Sequence, residues 1–203
     1  MSHFIRSTST AVVAVLALST SVTLVPAITI PVVPVGNPGN AADVTGFGAV
    51  SYAFQIGKYE VSNAQYAAFL NAVAKTDTYE LYASYYLANE GQGGIVQHGT
   101  SGTYSYEVKA GMENKPITFM SFWNAARFAN WLNNGQPTGA QDTSTTEDGA
   151  YTLNGYTGND GSWIVRNPGA TWFIPSENEW YKAAYYKNNG NSGDYWLYPT
   201  QSN

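Results

Sequence analysis

An α+β fold is the architecture that this sequence predicts, and three observations favour it. Helical patterns are few, apolar runs of strand length are short and scattered, and three of these runs lead directly into the start of a helix. The spacings between the three junctions differ, so the chain is not a tandem repeat. Its 203 residues suffice for one domain with a core. Short strands that do not alternate regularly with helices indicate small antiparallel sheets rather than a parallel βαβ sheet.

The mature part of the chain is expected to open with an extended lead-in over residues 28–49, which is rich in proline and glycine. The domain itself is predicted over residues 50–203. Residues 54–61 have the pattern of a strand, and Ser62 with Gln65 then forms a capping box that starts a helix over residues 63–74.

The middle of the chain predicts a hairpin and a second helix. Residues 94–97 and 103–108 alternate around a glycine-containing turn, as the arms of a β-hairpin do. Residues 116–120 predict a strand that leads into Ser121, which starts a helix that ends at residues 133–135. The tyrosine-rich residues 79–89, which precede the hairpin, fit either a short helix or an irregular aromatic layer.

The last part of the chain predicts three more short strands and a third helix. Residues 150–153 have the pattern of one strand, and residues 164–166 are predicted to pair with residues 171–174. Ser176 and Glu179 form the second capping box of the sequence and start the last helix.

Composition excludes several classes of partner and site. Asp, Glu, Lys and Arg make up 11% of the residues, the formal net charge is −5, and no run of basic residues occurs. Nucleic acids and anionic membrane surfaces require a basic patch, so we expect neither as a partner. There are 0 cysteines, which excludes disulfides, thiolate metal ligands and a cysteine nucleophile within this sequence.

Residues 1–27 are typical of a secretory signal peptide. Arg6 precedes an apolar stretch over residues 11–25, and Ala27 offers a small residue at a cleavage point. An uncleaved membrane anchor is the alternative, but hydroxyl residues interrupt this stretch and it is shorter than the roughly 20 residues that a span needs. We therefore expect cleavage before Ile28, export to the periplasm, the cell surface or the medium, and no membrane attachment afterwards.

Two groups of carboxylates are candidates for chemistry. Glu177 and Glu179 could act as an acid/base pair, but two residues apart on a helix they point in different directions, and the first turn favours capping and the helix dipole. Asp142, Glu147 and Asp148 could bind calcium, but their spacing lacks the glycine and the terminal glutamate of a calcium loop. We expect structural roles for the first group and a solvated loop for the second.

Aromatic residues supply the candidate binding site. His98 has no partner histidine and is expected to be an exposed turn residue. Core packing explains four tryptophans better than a ligand groove does, namely Trp123, Trp131, Trp172 and Trp180. For the tyrosine cluster the two interpretations are equally good. The candidate ligand-binding residues are therefore Tyr82, Tyr85 and Tyr86, while no catalytic residue and no metal ligand is predicted.

Three segments resemble a known family. IGKYEVSNAQYAAFLNA (56–72), NKPITFMSFWNAARFANWLN (114–133) and FIPSENEWYKAAYY (173–186) are similar, in this order, to consecutive blocks of the sulfatase-modifying-factor family. Its best known member is the formylglycine-generating enzyme. The resemblance covers most of residues 54–198 and is greatest to bacterial secreted members. It implies a C-type-lectin-like domain, with two or three short helices, small antiparallel sheets and much irregular structure.

The implied activity depends on residues that this sequence lacks. Catalytic members oxidise a cysteine of an unfolded sulfatase segment to formylglycine with copper held by two cysteines, relatives act on small thiols with iron, and others are binding proteins. In the catalytic members the cysteines follow the region that matches residues 194–203. No catalytic residue or calcium ligand of the family can be carried over to a position here. We expect no cofactor in this chain, and copper, iron or calcium only with a C-terminal continuation.

Two functional hypotheses follow. In the first, the chain is an exported binding or structural module without a redox centre of its own, with a protein or a glycan as its ligand. In the second, it is the N-terminal portion of a formylglycine-generating-type oxidoreductase, a metal-dependent thiol-oxidising enzyme whose catalytic cysteines lie beyond residue 203. The second hypothesis also implies a truncated domain with an exposed apolar sheet edge.

Overall fold

The computed structural model describes residues 27–84 and 93–202, in which three helices and two small antiparallel sheets confirm the α+β class. The helices are α1 (Asn63–Val73), α2 (Phe122–Asn133) and α3 (Glu177–Tyr185). The strands are β1 (Val32–Val35), β2 (Phe54–Gly57), β3 (Ile95–His98) and β4 (Ser105–Val108). None of the described helices combines the length and the apolar character needed to cross a membrane.

The main core lies where α1 meets α2 and the β3–β4 hairpin. Tyr66 and Phe69 are one turn apart on α1 and so present their rings on one face. The Phe69 ring lies 5.3 Å from that of Phe128 and 5.2 Å from that of Trp131, both on α2. These four side chains are buried, and such aromatic contacts add to the free energy gained by burying apolar area.

The three helices start at the cap residues that the sequence predicts. Ser62 caps α1 and Ser176 caps α3, each in a complete capping box in which the side chain of the third helical residue bonds back to the cap amide. Ser121 caps α2 through the amide of Asn124. The predicted hairpin is also confirmed, with Ile95 opposite Val108 and His98 opposite Ser105.

The lead-in contributes a strand, which the sequence patterns did not reveal. β1 pairs antiparallel with β2, and Ile28 and Ile30 pack against the main core. The amide of Lys58 donates to the carbonyl of Pro31 at 2.8 Å. Because hydrogen-bonded and non-bonded pairs alternate in an antiparallel ladder, this bond puts Pro34 at a position that needs no amide proton. Pro34 is therefore compatible with the sheet.

Four predicted strands are wrong, and at two of them, residues 150–153 and 171–174, side chains bond to backbone groups that a neighbouring strand would otherwise pair. Asn130 on α2 accepts the amide of Tyr151 and donates to its carbonyl, both at 2.8 Å. Asn133 accepts the amide of Thr171 at 2.8 Å, and the Tyr151 hydroxyl accepts the amide of Ile174 at 3.0 Å. The structure forms no strand at residues 116–120, 150–153, 164–166 and 171–174, apart from one isolated bridge between Ser62 and Pro116.

Candidate ligand-binding cleft

Two open cavities meet at residues 76–78. The first, here called the tyrosine cavity, has a volume of about 880 Å³, and the second has a volume of about 820 Å³ and extends to residues 138–141. Both lie in the range of small-molecule sites. The lining of the tyrosine cavity includes Asp77, Tyr79, Glu80, Tyr82, Tyr104, Phe119, Trp123 and Arg127.

Asp77 organises the wall between the two cavities. Its backbone is left-handed, with φ 56°, a conformation that aspartate tolerates better than most residues. Its carboxylate accepts the amides of Leu81 at 2.8 Å and Tyr82 at 3.0 Å, and the side-chain amide of Gln141 at 3.0 Å. The Asp77 carboxylate thus holds the loop at residues 77–82 together, and its oxygens accept hydrogen bonds from within the protein.

The candidate tyrosines divide between the described and the undescribed parts of the chain. Tyr82 is 5% exposed, donates its hydroxyl to the carbonyl of Ile95 at 3.0 Å and packs on Tyr106. Burial raises the pKa of its hydroxyl. It lines the tyrosine cavity but belongs to the core as well. Tyr85 and Tyr86 lie outside the described residues, so the role of the tyrosine cluster in binding stays a prediction.

Three other aromatic side chains line the tyrosine cavity, and sequence reasoning missed them as a group. Trp123 is half-buried and donates its indole N–H to the carbonyl of Gly158 at 2.8 Å. Phe119 is 42% exposed and has φ 59°, a costly conformation for a bulky residue. Tyr104 is half-buried. They come from the residue before β4, from α2 and from the segment before α2, so their only sequence signal was aromatic content.

Arg127 on α2 also lines the tyrosine cavity, and its charge is paired within the protein. Its guanidinium donates to both carboxylate oxygens of Glu147, at 2.7 and 2.9 Å, and stacks over the Tyr79 ring. Glu147 also accepts the amide of Gly155 at 2.9 Å and the hydroxyl of Thr146 at 2.9 Å. Both charged side chains are almost completely buried. The expectation that Glu147 lies in a solvated loop is therefore wrong, because the loop folds inward to meet this arginine.

The cavity therefore combines aromatic side chains with hydrogen-bonding groups, most of which are uncharged. Three lining residues carry charge. Intramolecular partners occupy the charged groups of Asp77 and Arg127, whereas Glu80 is exposed. Thr78, Gln97 and Ser121 add hydroxyl and amide groups to the lining. Such a surface can stack on and hydrogen-bond to a neutral polar molecule.

A separate apolar groove of about 530 Å³ lies between β2, α2 and residues 172–175. Trp180 and Tyr59 stand at its rim, and they are 52% and 66% exposed. The expectation that Trp180 packs in the core is wrong. Adjacent residues on a helix point in different directions, and in α3 the neighbouring Glu179 takes the inward position.

The family to which this architecture belongs follows from comparison with known proteins. The family model described as sulfatase-modifying factor enzyme 1-like domain matches residues 45–202. The chain belongs to this family. Its domain is C-type-lectin-like, and the three helices and two small antiparallel sheets are consistent with that fold. No curated protein and no solved structure matches the chain.

The metal chemistry of the sulfatase-modifying-factor family does not fit the donor groups of this chain. Copper(I) is held by soft ligands such as thiolate, and the sequence has 0 cysteines. A facial iron site needs two histidines and a carboxylate, and His98 is the one histidine in residues 27–84 and 93–202. Across these described ranges, no three His, Cys, Asp or Glu side chains form a group that could hold a metal ion.

The two glutamates in the first turn of α3 have separate environments. Glu179 is 0% exposed and receives two hydrogen bonds from Arg166, at 3.0 and 2.6 Å, and one from the Tyr52 hydroxyl at 2.5 Å. Burial alone would raise the pKa of Glu179, but these bonds and that from the Ser176 amide outweigh it and lower the pKa to about 2. Glu177 is exposed. In the sulfatase-modifying-factor domain Glu179 is thus a fixed structural anion.

The remaining sequence candidates take structural or surface positions. His98 is exposed as expected, and its ring lies 3.2 Å from the Glu107 carboxylate across the hairpin. Trp131 is buried and donates to the carbonyl of Pro137 at 2.8 Å, and Trp172 is half-buried against the main core. None of these residues lines the tyrosine cavity.

Proposed function

We propose that this sulfatase-modifying-factor domain is an exported binding module that takes a neutral glycan in the tyrosine cavity and has no redox centre of its own. The observation that carries the proposal is the lining of that cavity. The side chains of Tyr104, Phe119 and Trp123 line it together with hydroxyl and amide groups. The charged groups of Asp77 and Arg127 are hydrogen-bonded within the protein, and Glu80 adds one exposed carboxylate that can accept a hydroxyl group. Aromatic faces with hydrogen-bonding groups suit the apolar faces and hydroxyl groups of a sugar.

The start of the described chain supports processing before Ile28. The side chain of Gln136 accepts the backbone N–H of Ile28 at 2.6 Å and donates to its carbonyl at 2.9 Å. The Ile28 side chain packs against the main core. A chain cleaved after Ala27 would keep these contacts. N-terminal sequencing of protein collected outside the cytoplasm tests the processing, and a product that retains residues before Ile28 would contradict it.

Binding is tested with the chain from Ile28 onward on a glycan array, followed by calorimetry with the sugars that it retains. Tyr104→Ala removes a ring from the tyrosine cavity, whereas Tyr59→Ala removes an exposed ring from the apolar groove and serves as the matched control. We expect the first variant to lose binding and the second to keep it. The opposite pattern would assign the ligand to the groove, and retention of peptides but no sugars would refute a glycan ligand.

The redox part of the proposal has its own assay. The same protein is loaded with copper or iron and incubated with a cysteine-containing peptide. We expect no oxidation of the thiol, because the chain supplies no thiolate to a metal. Turnover above a metal-only control would refute the proposal and favour a thiol-oxidising enzyme.

A further inference from the structure

Three Asn-Gly pairs occur in this chain, and their backbone environments differ. They are Asn134–Gly135, Asn154–Gly155 and Asn189–Gly190. An Asn-Gly pair can react with itself, because glycine has no side chain to obstruct attack of its amide nitrogen on the preceding side-chain carbonyl carbon. The reaction needs that nitrogen to be free to move and to lose its proton. Hydrogen bonding of the glycine N–H therefore decides which pair can react.

Two of the three pairs are held by hydrogen bonds. The amide of Gly135 donates to the carbonyl of Leu132 at 3.1 Å, and the side chain of Asn134 donates to two carbonyls of the loop that follows α2. The amide of Gly155 donates to the buried carboxylate of Glu147 at 2.9 Å. In both pairs the attacking nitrogen is held by a hydrogen bond within the protein.

The third pair is free of this restraint. Asn189 and Gly190 are both exposed, and the amide of Gly190 makes no hydrogen bond within the described part of the chain. The side-chain carbonyl of Asn189 accepts the amide of Asn191 at 3.1 Å, which polarises the carbon that would be attacked. Gly190 has φ 88°, a conformation that glycine adopts without cost.

We propose that Asn189–Gly190 is a site of spontaneous deamidation in the folded protein. The nitrogen of Gly190 forms a bond to the side-chain carbon of Asn189, and the bond from that carbon to its amide nitrogen breaks. The proton from Gly190 leaves with the departing nitrogen as ammonia. Water then opens the five-membered imide at either carbonyl and yields aspartate or isoaspartate at position 189.

The product has a direct structural consequence. In the intact protein the side-chain amide of Asn189 donates to Asp194 at 2.6 Å, and Lys187 bonds the other carboxylate oxygen at 3.0 Å. Deamidation replaces the donor with a second carboxylate facing Asp194, and like charges at this distance repel. The turn that links α3 to the bridge between Tyr186 and Tyr195 therefore loosens.

The test is peptide mapping of the folded chain after incubation at mildly alkaline pH. Trypsin separates residues 188–203, which follow Lys187, from residues 128–166, which contain the other two pairs. We expect Asn189 to deamidate at least about tenfold faster than Asn134 or Asn154, since one protecting hydrogen bond is typically worth a factor of that order. In urea the three rates should converge, because unfolding removes the protection.

Two variants make the assignment specific. Asn189→Gln should abolish the fast deamidation, since the longer side chain closes the ring far more slowly. Asn189→Asp should lower the melting temperature relative to Asn189→Gln, because it places the second carboxylate beside Asp194. Equal rates at the three pairs in the folded protein, or a slow Asn189 that becomes fast only in urea, would overturn the proposal.

Discussion

Replacing Asn130 by alanine removes one side chain that holds an entire loop on α2. Asn130 is 0% exposed, and its side-chain amide donates to the carbonyls of Thr146 and Tyr151 while its oxygen accepts the amide of Tyr151, each at 2.8 Å. Alanine leaves two carbonyls and one N–H without these partners. A buried polar group that loses its partner costs about 1 to 3 kcal/mol.

The expected loss follows from these three groups. Thr152 beside them is exposed, so water can reach part of the loop and the lower end of the range applies, which gives roughly 3 to 5 kcal/mol. Alanine is the better helix former and returns about 0.5 kcal/mol. We therefore expect the free energy of unfolding to fall by about 2.5 to 4.5 kcal/mol. This is a large share of the roughly 5 to 15 kcal/mol of a typical domain.

Asn133→Ala is the matched control, because it makes the same substitution on the same helix. Asn133 accepts only the exposed amide and hydroxyl of Thr171, at 2.8 and 3.1 Å. Water can replace these bonds, so the expected loss is below about 1 kcal/mol. Asn130 lies inside α2 and Asn133 is its last residue, so the gain in helix propensity of about 0.5 kcal/mol applies mainly to Asn130→Ala and reduces the difference slightly.

The assay is equilibrium urea unfolding followed by tryptophan fluorescence and far-UV circular dichroism. Asn130→Ala should lower the midpoint and leave the slope against urea unchanged. Asn130→Asp should be at least as destabilising, because it keeps the acceptor but directs a carboxylate at two carbonyls. A difference between Asn130→Ala and Asn133→Ala of less than about 1 kcal/mol would refute the inference that the buried Asn130 side chain takes the place of a strand beside residues 150–153.

Further predictions concern the buried anion and the start of the chain. The pKa of Glu179 is about 2 in the folded protein and 4.5 ordinarily, so its stabilisation is complete above about pH 4.5 and is lost as the pH falls towards 2. Glu179→Gln should lower the free energy of unfolding at neutral pH by about 2 kcal/mol, after allowance for the partly solvated Arg166, and should flatten its dependence on pH in urea titrations. Glu177→Gln is the exposed control. Equal effects of the two variants would contradict the structural role of Glu179. Gln136→Ala should lower the melting temperature and speed proteolysis near Ile28, because it removes both side-chain bonds to the Ile28 backbone. An unchanged cleavage pattern would show that these two bonds do not hold the start of the domain.

Local chemistry by itself determined much of this protein. The capping boxes at Ser62 and Ser176 depend on residues three apart, so they could be recognised without knowledge of the rest of the fold. The face of α1 and the β3–β4 hairpin follow from periodicity in the same way. Three ordered blocks of sequence were sufficient to indicate the family.

Only the tertiary structure shows which residues distant in sequence are in contact. Residues 150–153 have the apolar pattern of a strand, but the backbone of Tyr151 bonds to the side chain of Asn130 on α2. No local pattern shows that a side-chain amide from another element will lie there. The sequence places Glu147 in a polar loop, but only the structure shows that its carboxylate pairs with Arg127. The tyrosine cavity likewise depends on aromatic rings from separate elements. Sequence patterns report the preferences of neighbours along the chain, whereas burial and hydrogen-bond partners are set by which elements meet in space.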